Sequence, residues 1–346
     1  MMYKKIFLLV TLFAILISIR INAQNIDFVP GEAWKDTDGN PINAHGGGIL
    51  YYEGIYYWYG EYKQGKTVLP EWATWECYRT DVTGVSCYSS HDLLNWKFEG
   101  IVLPAVQGNP QHDLHPSKVL ERPKVIYNKK TGKFVMWAHV ESADYKKACA
   151  GVAVADSPTG PFTYMGSFRP NDAMSRDQTL FVDDDGQAYH FCSSENNATL
   201  YISLLTDDYL KPSGRYTRNF VKKFREAPAV FKHDGKYYML TSGCTGWDPN
   251  IAEIAVADSI MGTWNTIGNP CTGKDSEKTF YSQSTYVQPV IGKKNAYIVL
   301  FDRWKKTDLK DSRYVWLPIS IKNEEMTIPW LEKWNLSVFD NTEKRQ

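Results

Sequence analysis

The feature that most constrains the fold is a fivefold repeat of one β-hairpin pattern. Each copy has an opening polar or glycine residue, an apolar strand, a turn, and a second strand rich in aromatic residues. The copies are GGGILYYEGIYYWYGE from Gly46, ERPKVIYNKKTGKFVMWAHVE from Glu121, RDQTLFVDDDGQAYHFCSSE from Arg176, REAPAVFKHDGKYYMLTSG from Arg225 and SQSTYVQPVIGKKNAYIVLFDRW from Ser282. Such a repeat predicts equivalent units that pack side by side.

A second, different pair of strands follows each hairpin, as in SCYSSHDLLNWKFEG and GVAVADSPTGPFTYMG. Four strands in each of five units, without a long helical period, predict an all-β, five-bladed β-propeller over residues 24–346. A β-sandwich is the alternative fold. It does not explain why the two types of hairpin alternate in step with the repeat.

Residues 1–23 are predicted to be a secretory signal peptide. Lys4 and Lys5 precede an apolar run that ends at Ile17, and a small-residue site lies near Ala23. The run is shorter than the ~20 residues that cross a membrane, so no membrane span is expected. No cysteine follows it closely, so no lipoprotein anchor is indicated. We expect a monomer that is periplasmic or secreted.

The charge balance argues against nucleic acid as a partner. Lys plus Arg and Asp plus Glu each number 39, which leaves no basic field for a phosphate backbone. The 12 Trp and 22 Tyr suit the apolar faces of sugars. The six cysteines lack zinc-site spacing, and buried thiols with at most one bridge are expected. The DDD at 183–185 is predicted to be a solvated turn. We expect no metal and no cofactor.

The residues that open the five hairpins should converge, because the innermost strand of each propeller blade lines the axis. They are His45 with its following glycines, Glu121, Asp177, Glu226 and Gln283. Three carboxylates in one funnel repel each other and should raise at least one pKa. Paired carboxylates on a rigid scaffold, without a P-loop, nucleophile elbow or HExxH motif, indicate glycoside hydrolysis of a polysaccharide or oligosaccharide.

Several motifs carry a resemblance to a known family. RDQTLFVDDDG, REAPAVFKHDGKYYMLTSG and SQSTYV with FDRW resemble glycoside hydrolase family 43, over about residues 27 to 340. ERPKV, SGCTGWDPN and YSQSTYV are most similar to its exo-β-1,3-galactanase branch. The resemblance implies an inverting enzyme that acts from chain ends on the β-1,3-galactan backbone of arabinogalactan and releases galactose or short side-chain-bearing units. It also implies that Glu226 is the general acid and that Asp177 orients it and adjusts its pKa.

The resemblance leaves the catalytic base open. Most of the family opens the first blade with an aspartate, whereas this chain has AHGGGIL there. In the galactanase branch the glutamine that matches Gln283 has been proposed to act on water as its imidic tautomer. Glu121 is the other candidate, either as base or as a ligand of a sugar hydroxyl. The glycines are expected to leave room at the axis for a hydroxyl or a water.

Four further residues are candidates for substrate binding, each with ordinary packing as the alternative. They are Tyr145 in ESADY, Asn197 in SSENNAT, Trp247 in SGCTGWDPN and Arg303 in FDRW, the last of which could instead brace Gln283. The insertion from Lys63 to about Lys118 is predicted to wall the groove and make a pocket.

Other functions stay open on the same fold. They are an α-L-arabinofuranosidase, a β-xylosidase or a galactofuranosidase, a non-catalytic carbohydrate-binding propeller, and a structural propeller. The missing first-blade aspartate argues against the ordinary xylosidase or arabinanase pattern. The retained acids Glu226 and Asp177 argue against the non-catalytic alternatives.

Overall fold

The computed structural model describes residues 25–322 and 325–340, and the predicted signal peptide lies outside them. The described chain forms five sheets, each made of strands that are consecutive or nearly so in sequence. Blade 1 contains β1 (His45–Tyr52), β2 (Ile55–Lys63), β3 (Val82–Ser90) and β4 (Lys97–Pro104). Blade 2 contains β5 (Val119–Asn128), β6 (Lys133–Glu141), β7 (Cys149–Ala155) and β8 (Thr163–Phe168). Blade 3 contains β9 (Gln178–Val182), β10 (Ala188–Ser194), β11 (Thr199–Leu205) and β12 (Pro212–Asn219).

Blades 4 and 5 complete the set. Blade 4 contains β13 (Arg225–His233), β14 (Lys236–Gly243), β15 (Glu253–Ala257) and β16 (Asn265–Gly268). Blade 5 contains β17 (Cys271–Thr272), β18 (Gln283–Pro289), β19 (Tyr297–Arg303), β20 (Arg313–Lys322) and β21 (Glu325–Pro329). Short 3₁₀ helices lie at Pro170–Asp172, Ser276–Tyr281, Leu309–Asp311 and Leu336–Phe339.

The five sheets form a closed propeller. The strands β1, β5, β9, β13 and β18 pack against one another in a ring around the axis, which confirms the predicted five-bladed all-β fold. One strand was not predicted: β17 pairs in parallel with β21 at the outer edge of blade 5. Among the described residues, no helix has the length and apolarity needed to cross a membrane.

The hydrophobic core lies between neighbouring blades, and it uses much of the aromatic content. Trp58 of blade 1 and Trp316 of blade 5 are fully buried, with ring centroids 4.7 Å apart. Trp96 completes this cluster at 5.3 Å from Trp58. The abundance of tryptophan therefore reflects packing between blades as well as any sugar site.

The N-terminal segment closes the ring by joining blade 1 to blade 5. Phe28 and Trp334 exchange two backbone hydrogen bonds and stack with ring centroids 4.3 Å apart. The Ala44 amide donates a hydrogen bond to the Tyr314 hydroxyl over 2.8 Å. These contacts fix the start of β1 against blade 5, next to the axis.

A β-bulge near the start of the inner strands aims their opening residues. The pairing register shifts just after His45, Glu121 and Glu226, and again within the start of β18. The residues that follow these three have left-handed φ values of 59° at Gly46, 52° at Arg122 and 54° at Ala227. Because a bulge bends its strand and redirects the side chains, the equivalent positions face a common site.

The structure also resolves the predictions made for the cysteines and for the DDD turn. All six cysteines are free thiols, so no bridge is present. The DDD turn is not simply solvated, because Asp183 accepts a hydrogen bond from Lys232 Nζ over 2.7 Å and another from the Tyr237 hydroxyl. Asp183 and the more exposed Asp184 thus both pair with Lys232 between blades 3 and 4, whereas Asp185 is exposed and does not.

Candidate active site

A pocket of about 310 Å³ lies at the end of the axis where the inner strands begin. It brings together all four residues predicted to be catalytic, and three of the four predicted to bind substrate. Its lining residues are Glu61, Trp75, Glu121, Arg122, His139, Tyr145, Arg176, Asp177, Asn197, Glu226, Cys244, Gly246, Trp247, Gln283 and Trp304.

Glu226 is a buried carboxyl group that holds its proton. Gln283 Nε2 donates to its Oε1 over 3.0 Å, and Asn197 Nδ2 donates to its Oε2 over 3.2 Å. Burial, and then the negative charge of Asp177, raise the pKa of Glu226 to about 8, although Arg122 opposes the shift. The group is therefore protonated at neutral pH and can donate its proton.

Asp177 is placed by an arginine that the sequence reasoning did not single out. Arg122 Nε lies 2.9 Å from Asp177 Oδ1, and Arg122 is itself buried. Its Nη1 donates to the Ser284 carbonyl over 3.0 Å, and its Nη2 donates to Gln283 Oε1. One side chain of blade 2 therefore fixes groups from blades 3 and 5.

The amide of Gln283 uses all of its hydrogen-bonding capacity. Its Nε2 donates to Glu226 and to Ser242 Oγ, each over 3.0 Å. Its Oε1 accepts from Arg122 and, over 3.2 Å, from Trp304 Nε1. Because guanidinium and indole groups only donate, the oxygen must face them, and this orientation of the amide is fixed.

Glu121, the residue directly before Arg122, is an ionised carboxylate. Tyr145 Oη donates to its Oε1 over 2.6 Å, and His139 Nδ1 lies 3.2 Å from its Oε2. Burial alone would raise the pKa of Glu121, but the bonds and charges of His139, Lys63 and Tyr145 lower it to about 2. It can accept hydrogen bonds from a sugar or a water at neutral pH.

The same region has donor atoms that could hold a cation. Glu121, His139 and Asp177 each offer one ligand atom, and these atoms lie within 4.8 Å of one another. However, His139 is also 3.3 Å from Glu141. Burial would lower the pKa of His139, but the two glutamates raise it to about 9. A proton therefore occupies this imidazole at neutral pH, and a metal would have to displace it.

Blade 1 does supply a carboxylate, from its second strand. Glu61 on β2 pairs across the ladder with His45 and lines the pocket, whereas His45 is fully buried and bonds to Asp302 over 3.2 Å. Glu61 Oε1 accepts from the Arg122 amide over 2.9 Å, and its Oε2 lies 2.6 Å from Lys63. The acid that seemed absent from this blade is therefore carried by the neighbouring strand.

The three glycines do not leave open space, which corrects the prediction made for them. A Cβ at Gly46 would overlap Glu61 Oε1, and one at Gly48 would lie 2.7 Å from Lys124 Cδ. Lys124 Nζ fills the axis by donating to the Gly46 carbonyl over 2.7 Å. The space beside these glycines is already filled by other atoms of the protein, which at Gly47 are backbone atoms of Tyr59 and Gly60.

Aromatic side chains form the wall of the pocket. Trp75, which comes from the predicted insertion, packs edge to face on Tyr145 with centroids 5.1 Å apart. Trp247 and Trp304 pack edge to face at 5.6 Å. Rings in such positions can stack on the apolar face of a sugar.

Comparison with known proteins identifies the family. Residues 48–299 match the family described as Glycosyl hydrolases family 43. The chain belongs to glycoside hydrolase family 43. No curated protein matches the sequence.

Solved structures of family 43 proteins closely resemble this chain. A β-1,3-galactosidase in complex with galactodeoxynojirimycin is 43% identical, with a TM-score of 0.83 over 89% of this chain and 100% of its own. An exo-β-1,3-galactanase from Phanerochaete chrysosporium, solved with β-1,3-galactotriose, is 35% identical, with a TM-score of 0.80 over 90% of this chain and 68% of its own. An exo-β-1,3-galactanase from Clostridium thermocellum is 38% identical, with a TM-score of 0.79 over 89% of this chain and 66% of its own.

The prediction for Arg303 in this family 43 chain is wrong. Side chains alternate along a strand, and Asp302 faces His45 and the Gly46 amide, so Arg303 points the other way. Arg303 donates to the Phe280 carbonyl over 2.9 Å and lies over the Trp330 ring. It neither lines the pocket nor braces Gln283; the brace is provided by Arg122 and Trp304.

Several pocket residues of this family 43 site were missed by sequence reasoning, although signals for some existed. Arg122 directly follows the opening acid of blade 2 and takes the bulge position. If the regular pairing next to the Gly54 turn continued along the hairpin, Glu61 would pair with Gly46. The bulge shifts the register, so that Glu61 pairs with His45 instead. His139 was not singled out, although it pairs across the ladder with Glu121. Trp75 and Cys244 lie in loops and gave no such signal.

Proposed function

We propose that this family 43 glycoside hydrolase is an exo-acting, inverting β-1,3-galactanase that releases galactose from chain ends of β-1,3-galactan. The observation that carries the proposal is the pairing of a protonated Glu226 with Gln283 inside a pocket walled by tryptophans. Support comes from relatives 35–43% identical, which include a β-1,3-galactosidase and an exo-β-1,3-galactanase solved with β-1,3-galactotriose.

In the proposed reaction, Glu226 protonates the glycosidic oxygen as the bond to the sugar carbon breaks. Its raised pKa means that the proton is present when substrate arrives, and the charge of Asp177 helps to keep it there. Inversion requires that one water attack the sugar carbon from the opposite face, without a covalent intermediate.

Two groups are candidates for activating that water. The four hydrogen bonds of Gln283 favour its ordinary amide form, because an imidic O–H would face the donors Arg122 and Trp304. To act as base, Gln283 would have to release those partners. Glu121 is already ionised and needs no change of tautomer. Azide rescue of the variants Gln283→Ala and Glu121→Gln separates the two.

Exo action follows from the enclosure of the site. The insertion after β2 contributes Trp75, and the loops of blades 4 and 5 contribute Trp247 and Trp304. Such walls admit the end of a chain more readily than its middle. Arabinogalactan side chains would then decide whether single galactose units or substituted units are released.

The test is incubation of the purified protein with β-1,3-galactan, arabinogalactan, arabinan and xylan, followed by chromatography of products over time. Galactose as the first product from β-1,3-galactan supports the proposal, and a ladder of early oligosaccharides contradicts exo action. Release of arabinose or xylose instead would assign one of the other family 43 activities. Binding without any release by the wild type would indicate a carbohydrate-binding propeller.

We also propose that the protein is exported, on the strength of its N-terminal sequence pattern, and that it is a monomer. Sequencing the N-terminus of protein recovered from the periplasm or medium would place the cleavage near Ala23. Light scattering on the purified protein measures its oligomeric state.

A further inference from the structure

Three charged side chains outside the pocket connect the loops that carry its aromatic wall. Lys306 Nζ lies 2.6 Å from Glu76 Oε2 and 3.0 Å from Asp248 Oδ1. Lys306 follows β19 in blade 5, Glu76 lies in the insertion of blade 1, and Asp248 lies in the loop after β14 of blade 4. We call these three residues the rim clasp.

Each member of the rim clasp is next to, or two residues from, a tryptophan of the pocket. Glu76 follows Trp75, Asp248 follows Trp247, and Lys306 lies two residues after Trp304. Because neighbouring residues share backbone, a bond that holds the charged side chain also restricts the position of the ring beside it.

The order of the blades explains why Lys306 can pair with both acids of the rim clasp. Blade 5 lies between blade 4 and blade 1 in the ring, so a lysine on its loop can reach both neighbours. A second contact also joins blade 5 to the insertion of blade 1, because the Leu309 amide donates to Thr67 Oγ1 over 2.8 Å. The Trp247 loop is stiffened separately by Asn250, which exchanges two hydrogen bonds with Gly243.

We propose that the rim clasp strengthens substrate binding by holding Trp75, Trp247 and Trp304 at a spacing that fits a terminal sugar. Its three members are positioning residues, because they lie outside the pocket and act through the neighbouring rings. This inference rests on the proposed function for the identity of the substrate, a β-1,3-galactan end. The side chains of the clasp are 31–66% exposed, so their attraction is weakened by salt.

The test compares Lys306→Met with Glu76→Gln, Asp248→Asn and the double variant Lys306→Met/Asp248→Asn, using β-1,3-galactotriose. Lys306→Met should raise KM about threefold to tenfold while kcat stays within about twofold, since wall contacts are lost but the acid is not. The double variant should be no worse than Lys306→Met, and Lys306→Arg should restore most of the affinity. Raising NaCl from about 20 to about 500 mM should raise the wild-type KM and leave that of Lys306→Met nearly unchanged.

Lys130→Met is the matched control, because Lys130 forms an exposed pair with Asp207 at 2.8 Å, away from the pocket. Its KM should equal that of the wild type. An unchanged KM for Lys306→Met, or additive effects in the double variant, would overturn the inference.

A measurement without substrate separates this inference from the proposed function. Acrylamide should quench the tryptophan fluorescence of Lys306→Met more than that of the wild type or Lys130→Met. If the wild type hydrolyses no β-1,3-galactan, the proposed function fails while the quenching result still tests the clasp. If galactan is hydrolysed but neither KM nor quenching changes, the clasp alone is refuted.

Discussion

Gln283 Nε2 donates a hydrogen bond to Glu226 Oε1 over 3.0 Å, joining blade 5 to blade 4 at the centre of the pocket. Asn197 of blade 3 holds the other oxygen of the same carboxyl group, and Arg122 of blade 2 holds the other end of the amide. Four blades therefore determine where the acid sits, and its position depends on the closed ring.

Glu226→Gln removes the proton donor while keeping the size and most hydrogen bonds of the side chain. We expect turnover of β-1,3-galactotriose to fall about 10²–10⁴-fold, in line with the usual contribution of a general acid. A dinitrophenyl β-galactoside, whose leaving group needs no proton, should lose less than about tenfold. Glu253→Gln on the same blade, outside the pocket, is the matched control. Equal losses on both substrates would contradict the role of acid.

Asp177→Asn should shift the pH profile in a defined direction. The negative charge of Asp177 contributes to raising the pKa of Glu226, second only to burial. Without that charge Glu226 ionises at lower pH, so the alkaline limb of kcat/KM, near pH 8 in the wild type, should move to lower pH by roughly one unit. The check is a pH profile of both proteins from about pH 4 to 10. An unmoved or raised alkaline limb would show that Asp177 does not tune the acid.

The identity of the group that activates water can be tested with Gln283→Ala and Glu121→Gln. Azide should restore activity on the dinitrophenyl β-galactoside to whichever variant has lost the base, because a small anion can take the place of the attacking water. Gln283→Ala should also lower activity by releasing Glu226, so rescue rather than loss decides. If azide rescues Glu121→Gln but not Gln283→Ala, the glutamine-base proposal fails.

The sequence predicted the propeller and the converging residues because both depend on periodicity. Strand alternation and hairpin turns are local signals, and their fivefold repetition places Glu121, Asp177, Glu226 and Gln283 at one end of the axis. Tyr145, Asn197 and Trp247 line the pocket as predicted because the loop between the second and third strand of each blade overhangs that same end.

What the sequence did not predict depends on registers and side-chain directions. Glu61 reaches the pocket because a bulge shifts its partner, and Arg303 misses it because alternation turns that side chain outward. Arg122 is important to the site because it contacts residues of blades 3 and 5, which are distant from it in sequence. Such contacts follow only once the blades are packed.

The ion pair of His139 should make stability depend on pH. Glu121 and Glu141 raise the pKa of His139 from 6.5 to about 9, despite the opposing effect of burial. The resulting stabilisation is present in full below about pH 6.5 and is lost as the pH rises through about 9. The difference in the free energy of unfolding between the wild type and His139→Asn should therefore shrink by about 1–3 kcal/mol between pH 6 and pH 9.5. Denaturant unfolding at both pH values measures it, and a difference independent of pH would contradict the ion pair.

Gly46→Ala tests why the first blade opens on glycines, with Gly54→Ala as the matched control. Both glycines have left-handed φ values, 59° and 86°, so alanine is strained at either position by about 1–2 kcal/mol. At Gly54 a Cβ meets nothing within 4 Å, whereas at Gly46 it would overlap Glu61 Oε1. Gly46→Ala should therefore destabilise the protein more than Gly54→Ala and, by moving Glu61, also raise KM for β-1,3-galactotriose. Equal losses of stability with an unchanged KM would mean that this glycine serves only the bulge, and that the placement of Glu61 does not depend on the missing side chain.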